Sequence, residues 1–324
     1  MLINLYMYDG LACGRVEVVM CKSILGLVFG CAVPVMTLAD SGLSTALQLG
    51  YRADSLDWTI AGDINGQNPN VLSELQWTDL QIPQVKLDVD AYLSNFYLRG
   101  KLAYGEIHSG DNQDSDYLFD NRNGEFSRSN NAAAGEVADA SIGFGYRFDT
   151  SDRGSKFSSY FMPMLGYSIH NQDLQTTDGF QTFPATGAFA GLNATYDTEW
   201  DGVWVGLVFG EANTQTDLAL ELSMIYHDVD YQAEADWNLR PDFAHPKSYE
   251  HLATGHGFTL SLNGRKPIDY SKHWFWAFGI DYGRWQTRVG LDQTYFSDGS
   301  TIQTRLNRVN WESAAINLGL ELRM

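Results

Sequence analysis

The polar segment from Ser109 to Tyr117 concentrates the side chains best suited to chemistry. The candidate oxygen ligands in it and shortly after it are Asp111, Asn112, Asp114, Asp116 and Asp120. Ca²⁺ prefers six to eight oxygen ligands, so such a run could attract it. The glycine and the terminal glutamate that an EF-hand loop requires at fixed places are missing. The segment therefore predicts weak, adventitious Ca²⁺ binding at most.

Histidines are the second group of interest, because imidazole can act as a base near neutral pH. Four of them lie between residues 227 and 256: His227, His245, His251 and His256. His227 follows Ser223 and Ile225 by an even number of positions, so on a strand all three side chains lie on the same, inward face. Each of the four could instead make an ordinary hydrogen bond in a loop or lumen. The sequence alone leaves both roles open.

Charge and missing motifs narrow the function further. The formal charge of −19 and the pI near 4.5 exclude nucleic acid as a partner, since it would be repelled. The acidity either hydrates polar loops or creates an acidic mouth that attracts cationic ligands. The sequence has no Gly-rich phosphate loop, no Gly-x-Ser-x-Gly elbow and no Cys/His cluster. We therefore expect neither a cofactor nor a bound metal.

The elements that would position these residues are β-strands. Every second residue from Ile316 to Met324 is apolar, and the same period of two recurs within residues 142–148 and 218–224. Side chains alternate between the two faces of a strand, so one face is apolar and the other is polar. This pattern predicts an all-β fold, an antiparallel transmembrane β-barrel in the bacterial outer membrane with an apolar outside and a polar inside.

Strand-like segments predict about ten strands, with both chain ends on the periplasmic side. One turn is expected between segments 186–200 and 203–228, and long outward loops are expected near 110–137 and 229–249. Charged residues such as Lys86, Arg99 and Glu221 have the inward parity. In a narrow lumen we expect them to form ion pairs and fill the space rather than line an ion-conducting path.

The first residues predict export. Lys22 is followed by an apolar run over residues 24–33 and then by Thr37-Leu38-Ala39, which is the order of a signal peptide. Residues 1–19 match no targeting element, so we expect translation to start at Met20, residues 1–39 to be removed, and residues 40–324 to form one barrel domain. Lipid modification at Cys31 is the alternative. All three cysteines precede Ala39, so the mature chain would have no thiol chemistry.

The segment Ser109-Gly110-Asp111-Asn112-Gln113-Asp114-Ser115-Asp116-Tyr117 resembles the Ser-Gly-Asn-x-x-Asp-x-Asp-Trp motif of the omptin family of outer-membrane proteases. Leu72-Ser73-Glu74-Leu75-Gln76-Trp77 is similar to the pattern of the omptin second strand, and the chain length and strand count agree. The resemblance implies that Asp114 and Asp116 form half of an active site, with Tyr117 in place of the family's tryptophan.

The other half in omptins is an Asp-x-His pair near the top of the seventh strand, and the similar segment here is Asp236-Trp237-Asn238. Asn238 thus stands at the position of the expected histidine. Asparagine cannot take a proton from water near neutral pH, and loss of a general base costs about 10²–10⁴-fold in rate. The resemblance therefore implies a degenerate protease site, unless another histidine, with His227 the first candidate, substitutes.

Two functions remain at this stage. We favour a structural or ligand-binding surface barrel with a degenerate protease site. The alternative is an active omptin-type aspartic endopeptidase that cleaves at basic residues, in which Asp114 and Asp116 orient a water and Asp236 holds the base. The expected partners are outer-membrane lipid and basic peptides or proteins at the extracellular mouth, with lipopolysaccharide implied by the resemblance as an activating lipid. The barrel is expected to be a monomer.

Overall fold

The structure is a computed structural model that describes residues 41–151 and 155–324 of the 324-residue chain. The signal-peptide prediction for residues 1–39 lies outside the described residues. No helix in the two described stretches is long and apolar enough to cross a membrane. The strands are β1 Ser41–Ile60, β2 Ser73–Leu93, β3 Phe96–Ile107, β4 Ser109–Phe119, β5 Asn123–Tyr146, β6 Phe148–Asp149, β7 Phe157–Phe183, β8 Gly187–Ala188, β9 Ala194–Asn213, β10 Ala219–Asp236, β11 Tyr249–Pro267, β12 Trp274–Thr287, β13 Gly290–Tyr295 and β14 Thr301–Arg323.

These segments form ten long antiparallel strands that close into a ring. β3 and β4 are two halves of one strand, because both pair with β2 and β5. β12 and β13 are likewise two halves of one strand between β11 and β14. Pairing of β1 with β14 closes the ring, while the short β6 and β8 add to β7. The predicted all-β antiparallel barrel of about ten strands is confirmed.

The lower part of the outer wall is an apolar belt. Leu49 on β1 is 69% exposed and Leu318 on β14 is 58% exposed, and both alternate with inward polar residues. Five outward tyrosines mark the upper edge of the belt: Tyr51, Tyr104, Tyr167, Tyr226 and Tyr282. Outward aromatic side chains at this height are typical of the interface between lipid and water. The belt therefore defines the membrane-spanning part of the wall.

The strands continue well above the belt, which corrects two expectations. Most of the predicted loop at 110–137 is strand, since β4 and β5 occupy it, and β10 extends into the predicted loop at 229–249 as far as Asp236. The turn expected near residues 201–202 lies inside β9, and the actual turn follows Asn213. Above the lipid, outward side chains contact water, so they no longer need to be apolar and the alternating pattern stops. The backbone hydrogen bonds between the strands continue nevertheless.

Aromatic side chains fill the upper lumen. The largest fully buried ones include Trp77, Trp200, Trp311, Tyr196 and Tyr231. The rings of Trp285 and Trp311 stack with their centroids 3.9 Å apart. This cluster forms the hydrophobic core of the part of the barrel that stands above the belt.

Ion pairs cross the lumen at the height of the belt. Arg52 contacts Asp54 and Asp139, at 2.5 and 2.6 Å. Arg99 likewise joins Asp90 and Glu221, at 2.6 and 2.8 Å. The charged residues predicted to face inward thus pair across the lumen, as a narrow barrel requires.

The outer wall above the belt is acidic. Six outward carboxylates lie directly opposite one another across successive long strands and are called the acid row here: Glu106, Glu136, Asp173, Asp197, Glu234 and Glu250. Like charges at directly opposite positions destabilise a sheet. Lys247 contacts Glu234 and Glu250 at one end of the row.

Candidate functional site

Strand β4 places Asp114 and Asp116 on the inner wall above the belt. Asp114 lies opposite Leu75 and Asp116 opposite Ser73 on β2. Leu75 is fully buried in the core, and opposite residues of an antiparallel pair point to the same side. Both carboxylates therefore face inward, two residues apart, near the extracellular end of the barrel. The structure brings these two predicted residues together.

Burial governs the electrostatics of this pair. Burial raises the pKa of Asp114, and the neighbouring Asp116 raises it further, while Arg240 and hydrogen bonding from Trp237 oppose the shift. Burial also raises the pKa of Asp116, against the Ser73 hydroxyl and Arg240. Two adjacent carboxylates cannot both ionise easily in such surroundings. The pair therefore retains a proton to higher pH than ordinary aspartates do.

An aromatic wall faces the carboxylate pair. The ring centroids of Trp237 and Tyr249 are 5.1 Å apart, and Trp77 stacks on Tyr196 at 5.2 Å. Burial, and then the charge of Asp114, raises the pKa of Tyr249. The hydroxyl of Tyr249 is buried and makes no hydrogen bond within the described part of the chain. We call the surface formed by Asp114, Asp116, Trp237 and Tyr249 the mouth.

A buried hydrogen-bond network lies in the same aromatic cluster. The hydroxyls of Tyr231 and Tyr196 are 2.5 Å apart, and the Tyr196 hydroxyl lies 2.8 Å from Nδ1 of His251. Nε2 of His251 lies 3.3 Å from an oxygen of Asp292 but makes no hydrogen bond in the described part of the chain, and Asp292 accepts a hydrogen bond from Thr304. All of these side chains are buried. His251 is thus a member of the core and has no access to solvent.

The structure does not bring Asp236 and Asn238 to the inner wall. Odd-numbered residues of β10 face inward, so Asp236 has the outward parity and Trp237 the inward one. The Asp236 carboxylate lies 2.5 Å from Nδ1 of His245. The side-chain nitrogen of Asn238 donates to the carbonyl of Gly191, and its oxygen accepts from the backbone of Asn193. The Asn238 side chain therefore stabilises the neighbouring loop that contains Gly191 and Asn193.

The other histidines also lie apart from the carboxylate pair. His227 is nine residues before Asp236 on β10, about 30 Å at the rise of a strand, and lies at belt height. Its ring nitrogens lie 3.1 Å from the Ser168 hydroxyl and 3.4 Å from that of Thr259. His256 stacks on Tyr226. Among residues 41–151 and 155–324, no group of three or more His, Cys, Asp or Glu is arranged to hold a metal ion.

Sequence reasoning named His245 among four candidate histidines but did not single out Trp237 and Arg240, which are neighbours of the carboxylate pair. Trp237 could have been found, because extending the inward parity of Glu221 and Ser223 along β10 leads to it. Trp237 is the first residue after β10, whereas Arg240 lies further beyond the strand, where the alternation of faces no longer applies.

The closed ring, apolar belt and polar lumen define an outer-membrane β-barrel protein. Within this class, the chain belongs to a particular family, described as Protochlamydia outer membrane protein, whose sequence model matches residues 46–324. A search of curated proteins found no match. The outer-membrane location predicted from the sequence is confirmed.

Solved structures of other barrels are similar in fold. The outer membrane protease OmpT from Escherichia coli matches with a TM-score of 0.70 and 11% identity, covering 90% of this chain and 99% of OmpT. The translocator domain of the autotransporter NalP from Neisseria meningitidis has a TM-score of 0.37 and 12% identity, with 89% and 90% covered. OprG from Pseudomonas aeruginosa has a TM-score of 0.34 and 10% identity, with 88% and 96% covered. At 11% identity, the likeness to OmpT extends to the fold alone.

Proposed function

We propose that this barrel is a surface protein whose mouth binds basic peptide or protein segments without hydrolysing them. The observation that supports this is the register of β10. The last inward positions at the upper end of β10 and just beyond it are Ala235 and Trp237, and neither can accept a proton. Removal of a general base costs about 10²–10⁴-fold in rate. Hydrolysis by the omptin mechanism is therefore expected to be slow or absent.

The chemistry of the mouth favours a cationic ligand. Asp114 and Asp116 offer carboxylate oxygens, and the faces of Trp237 and Tyr249 can contact a guanidinium or an ammonium group. Arg240 of the chain itself is close enough to lower the pKa of both aspartates. A basic side chain of a partner would meet the same surroundings.

One observation favours the alternative, an endopeptidase with a different base. The Asp236 carboxylate lies 2.5 Å from Nδ1 of His245. A carboxylate in contact with Nδ1 orients the imidazole of a catalytic histidine in the same way. For this pair to act, the segment 237–248 would have to turn the imidazole toward Asp114 and Asp116. Lipopolysaccharide remains the proposed activating lipid in that case.

A motif-transplant experiment distinguishes the two functions. The refolded barrel is incubated with lipopolysaccharide and a quenched peptide that contains paired basic residues. The double variant Ala235→Asp/Trp237→His restores Asp-x-His on the inward face, whereas Asn238→His restores it on the outward face as a matched control. We expect cleavage only by the double variant. Cleavage by the parent that is lost in both Asp114→Ala and His245→Ala would instead establish the endopeptidase.

Binding is measured separately, by the anisotropy of a labelled arginine-rich peptide. We expect the parent to bind the peptide, and the Asp114→Ala/Asp116→Ala variant to bind it more weakly. Asp298→Ala removes an exposed loop carboxylate and is the matched control, which should bind like the parent. Equal affinity of all three proteins for the peptide would show that the mouth is not the binding surface.

A further inference from the structure

Outward side chains of the apolar belt line a shallow groove. It has a volume of about 650 Å³ and is lined by side chains of β5, β7, β9, β10 and β11. One row of paired residues explains its shape: Phe144, Leu165, Val205, Tyr226 and Phe258. Two aliphatic side chains in the middle are thus flanked by aromatic rings on both sides. The groove follows β7 and β9 and is called the lipid groove here.

Two carboxylates lie above the upper end of the lipid groove. Asp201 is four residues above Val205 on β9 and lies directly opposite Asp230 on β10. Tyr167, at the upper edge of the belt, donates a hydrogen bond to Asp201. In the described part of the chain, neither carboxylate forms an ion pair, whereas nearby Asp228 lies 3.7 Å from Arg288. The pair therefore places two negative charges together without a direct ion-pair partner, and the neighbouring Arg288 instead donates to Thr254, the residue opposite Asp230.

Such a pair is destabilising on its own, because like charges oppose each other directly across the strands. A cation at the membrane surface would offset this cost. The lipid groove and the carboxylate pair lie along one line, from the belt to the height of lipid headgroups. An acyl chain in the groove would hold its own headgroup next to the two carboxylates.

We propose that the lipid groove binds one acyl chain of a lipid whose ammonium headgroup contacts Asp201 and Asp230. The ligand class is an ammonium-bearing phospholipid, for which phosphatidylethanolamine is the probe. The carboxylates repel an anionic headgroup, so phosphatidylglycerol with the same acyl chains should bind less well. One charge near a membrane surface changes affinity by about fivefold, which sets the expected preference.

The experiment is lipid retention in native mass spectrometry of the refolded barrel in an equimolar mixture of the two lipids. We expect one phosphatidylethanolamine molecule to be retained about fivefold more often than phosphatidylglycerol. The variant Asp201→Asn/Asp230→Asn should still retain lipid but lose the preference. Equal retention of the two lipids by the parent, or a preference that survives in this variant, would overturn the proposal.

A second pair of variants tests the lipid groove itself. Val205→Phe places a large ring in the floor of the groove and should reduce retention of both lipids. Ile316→Phe makes the same kind of change elsewhere in the belt, where Ile316 is 62% exposed, and should leave retention unchanged. Equal retention by both variants would show that lipid binds without using the groove. Both substitutions keep an apolar side chain facing the lipid, so the barrel should still fold.

Discussion

Replacing Asp197 by asparagine should stabilise the barrel at neutral pH. Asp197 lies in the acid row, directly opposite Asp173 on β7 and Glu234 on β10. Opposite side chains are about 5 Å apart, where two unit charges in water interact with about 0.8 kcal/mol. Two neighbours cost about 1.6 kcal/mol without salt and about 1 kcal/mol at 0.1 M ionic strength. Because Lys247 partly neutralises Glu234, we expect a gain of about 0.5–1 kcal/mol.

Burial of Asp197, together with this repulsion, predicts the pH dependence. Partial burial, reinforced by Asp173 and Glu234, raises the pKa of Asp197 to about 6. The unfolded value is about 3.9, so between about pH 4 and pH 6 the native state binds more protons than the unfolded state. Stability contributed by this group is therefore present at pH 4 and is lost as the pH rises through 6. The asparagine variant should exceed the parent in stability at pH 7.5 and match it at pH 4.

The assay is urea unfolding of the refolded barrel in detergent micelles, followed by tryptophan fluorescence. It is run at pH 4 and pH 7.5, in low and in high salt. Glu312→Gln is the control, because Glu312 is an outward carboxylate paired with Arg284 at 3.3 Å, so its loss should bring no gain. A gain for Asp197→Asn that persists at pH 4, or that high salt leaves unchanged, would refute the electrostatic reasoning.

Two further predictions concern the wall and the lumen. Leu318→Arg should cost about 2–4 kcal/mol in the same assay, because it places a charge in the belt, whereas Gln232→Arg on the outer wall above the belt should cost about 0–1 kcal/mol. Equal costs would contradict the assigned height of the belt. Arg52→Met should cost about 3–5 kcal/mol, because two carboxylates in the lumen lose their cation, and the exposed pair removed by Lys272→Met should contribute less than about 1 kcal/mol. An Arg52 cost as small as that of Lys272 would mean that water replaces the ion pairs.

The barrel class could be predicted from the sequence because lipid imposes one rule on every strand. Outward residues such as Leu318 must be apolar, and inward residues such as Asn317 can be polar, so the period of two is visible wherever the wall touches lipid. Above the belt, outward residues contact water and need not be apolar. Asp201-Gly202 has the composition of a turn, yet it lies within β9, where hydrogen bonds to both neighbours hold an outward aspartate in water.

The mouth was less accessible to sequence reasoning, because motif spacing and strand parity disagree there. Spacing aligns Asp236 and Asn238 with the Asp-x-His of omptins, whereas the parity of β10 points Trp237 inward. Parity is the stronger argument, since a shift by one residue would expose the whole apolar set of the strand to the wrong face. The contact between Asp236 and His245 depends on the path of the segment that follows β10, which local patterns do not determine.

The aromatic contacts of the mouth bear directly on catalysis. Hydrolysis between two walls needs room for a water and the scissile bond, with a base on one side and carboxylates on the other. Here Trp237 approaches Asp114 from β10 and packs on Tyr249, and Trp77 stacks on Tyr196, so apolar rings occupy the inner wall beside the carboxylates. A base added without removing Trp237 would have to reach Asp114 past this indole. For that reason the motif transplant must replace Trp237 itself, and the Asn238→His variant alone is expected to show no peptide cleavage.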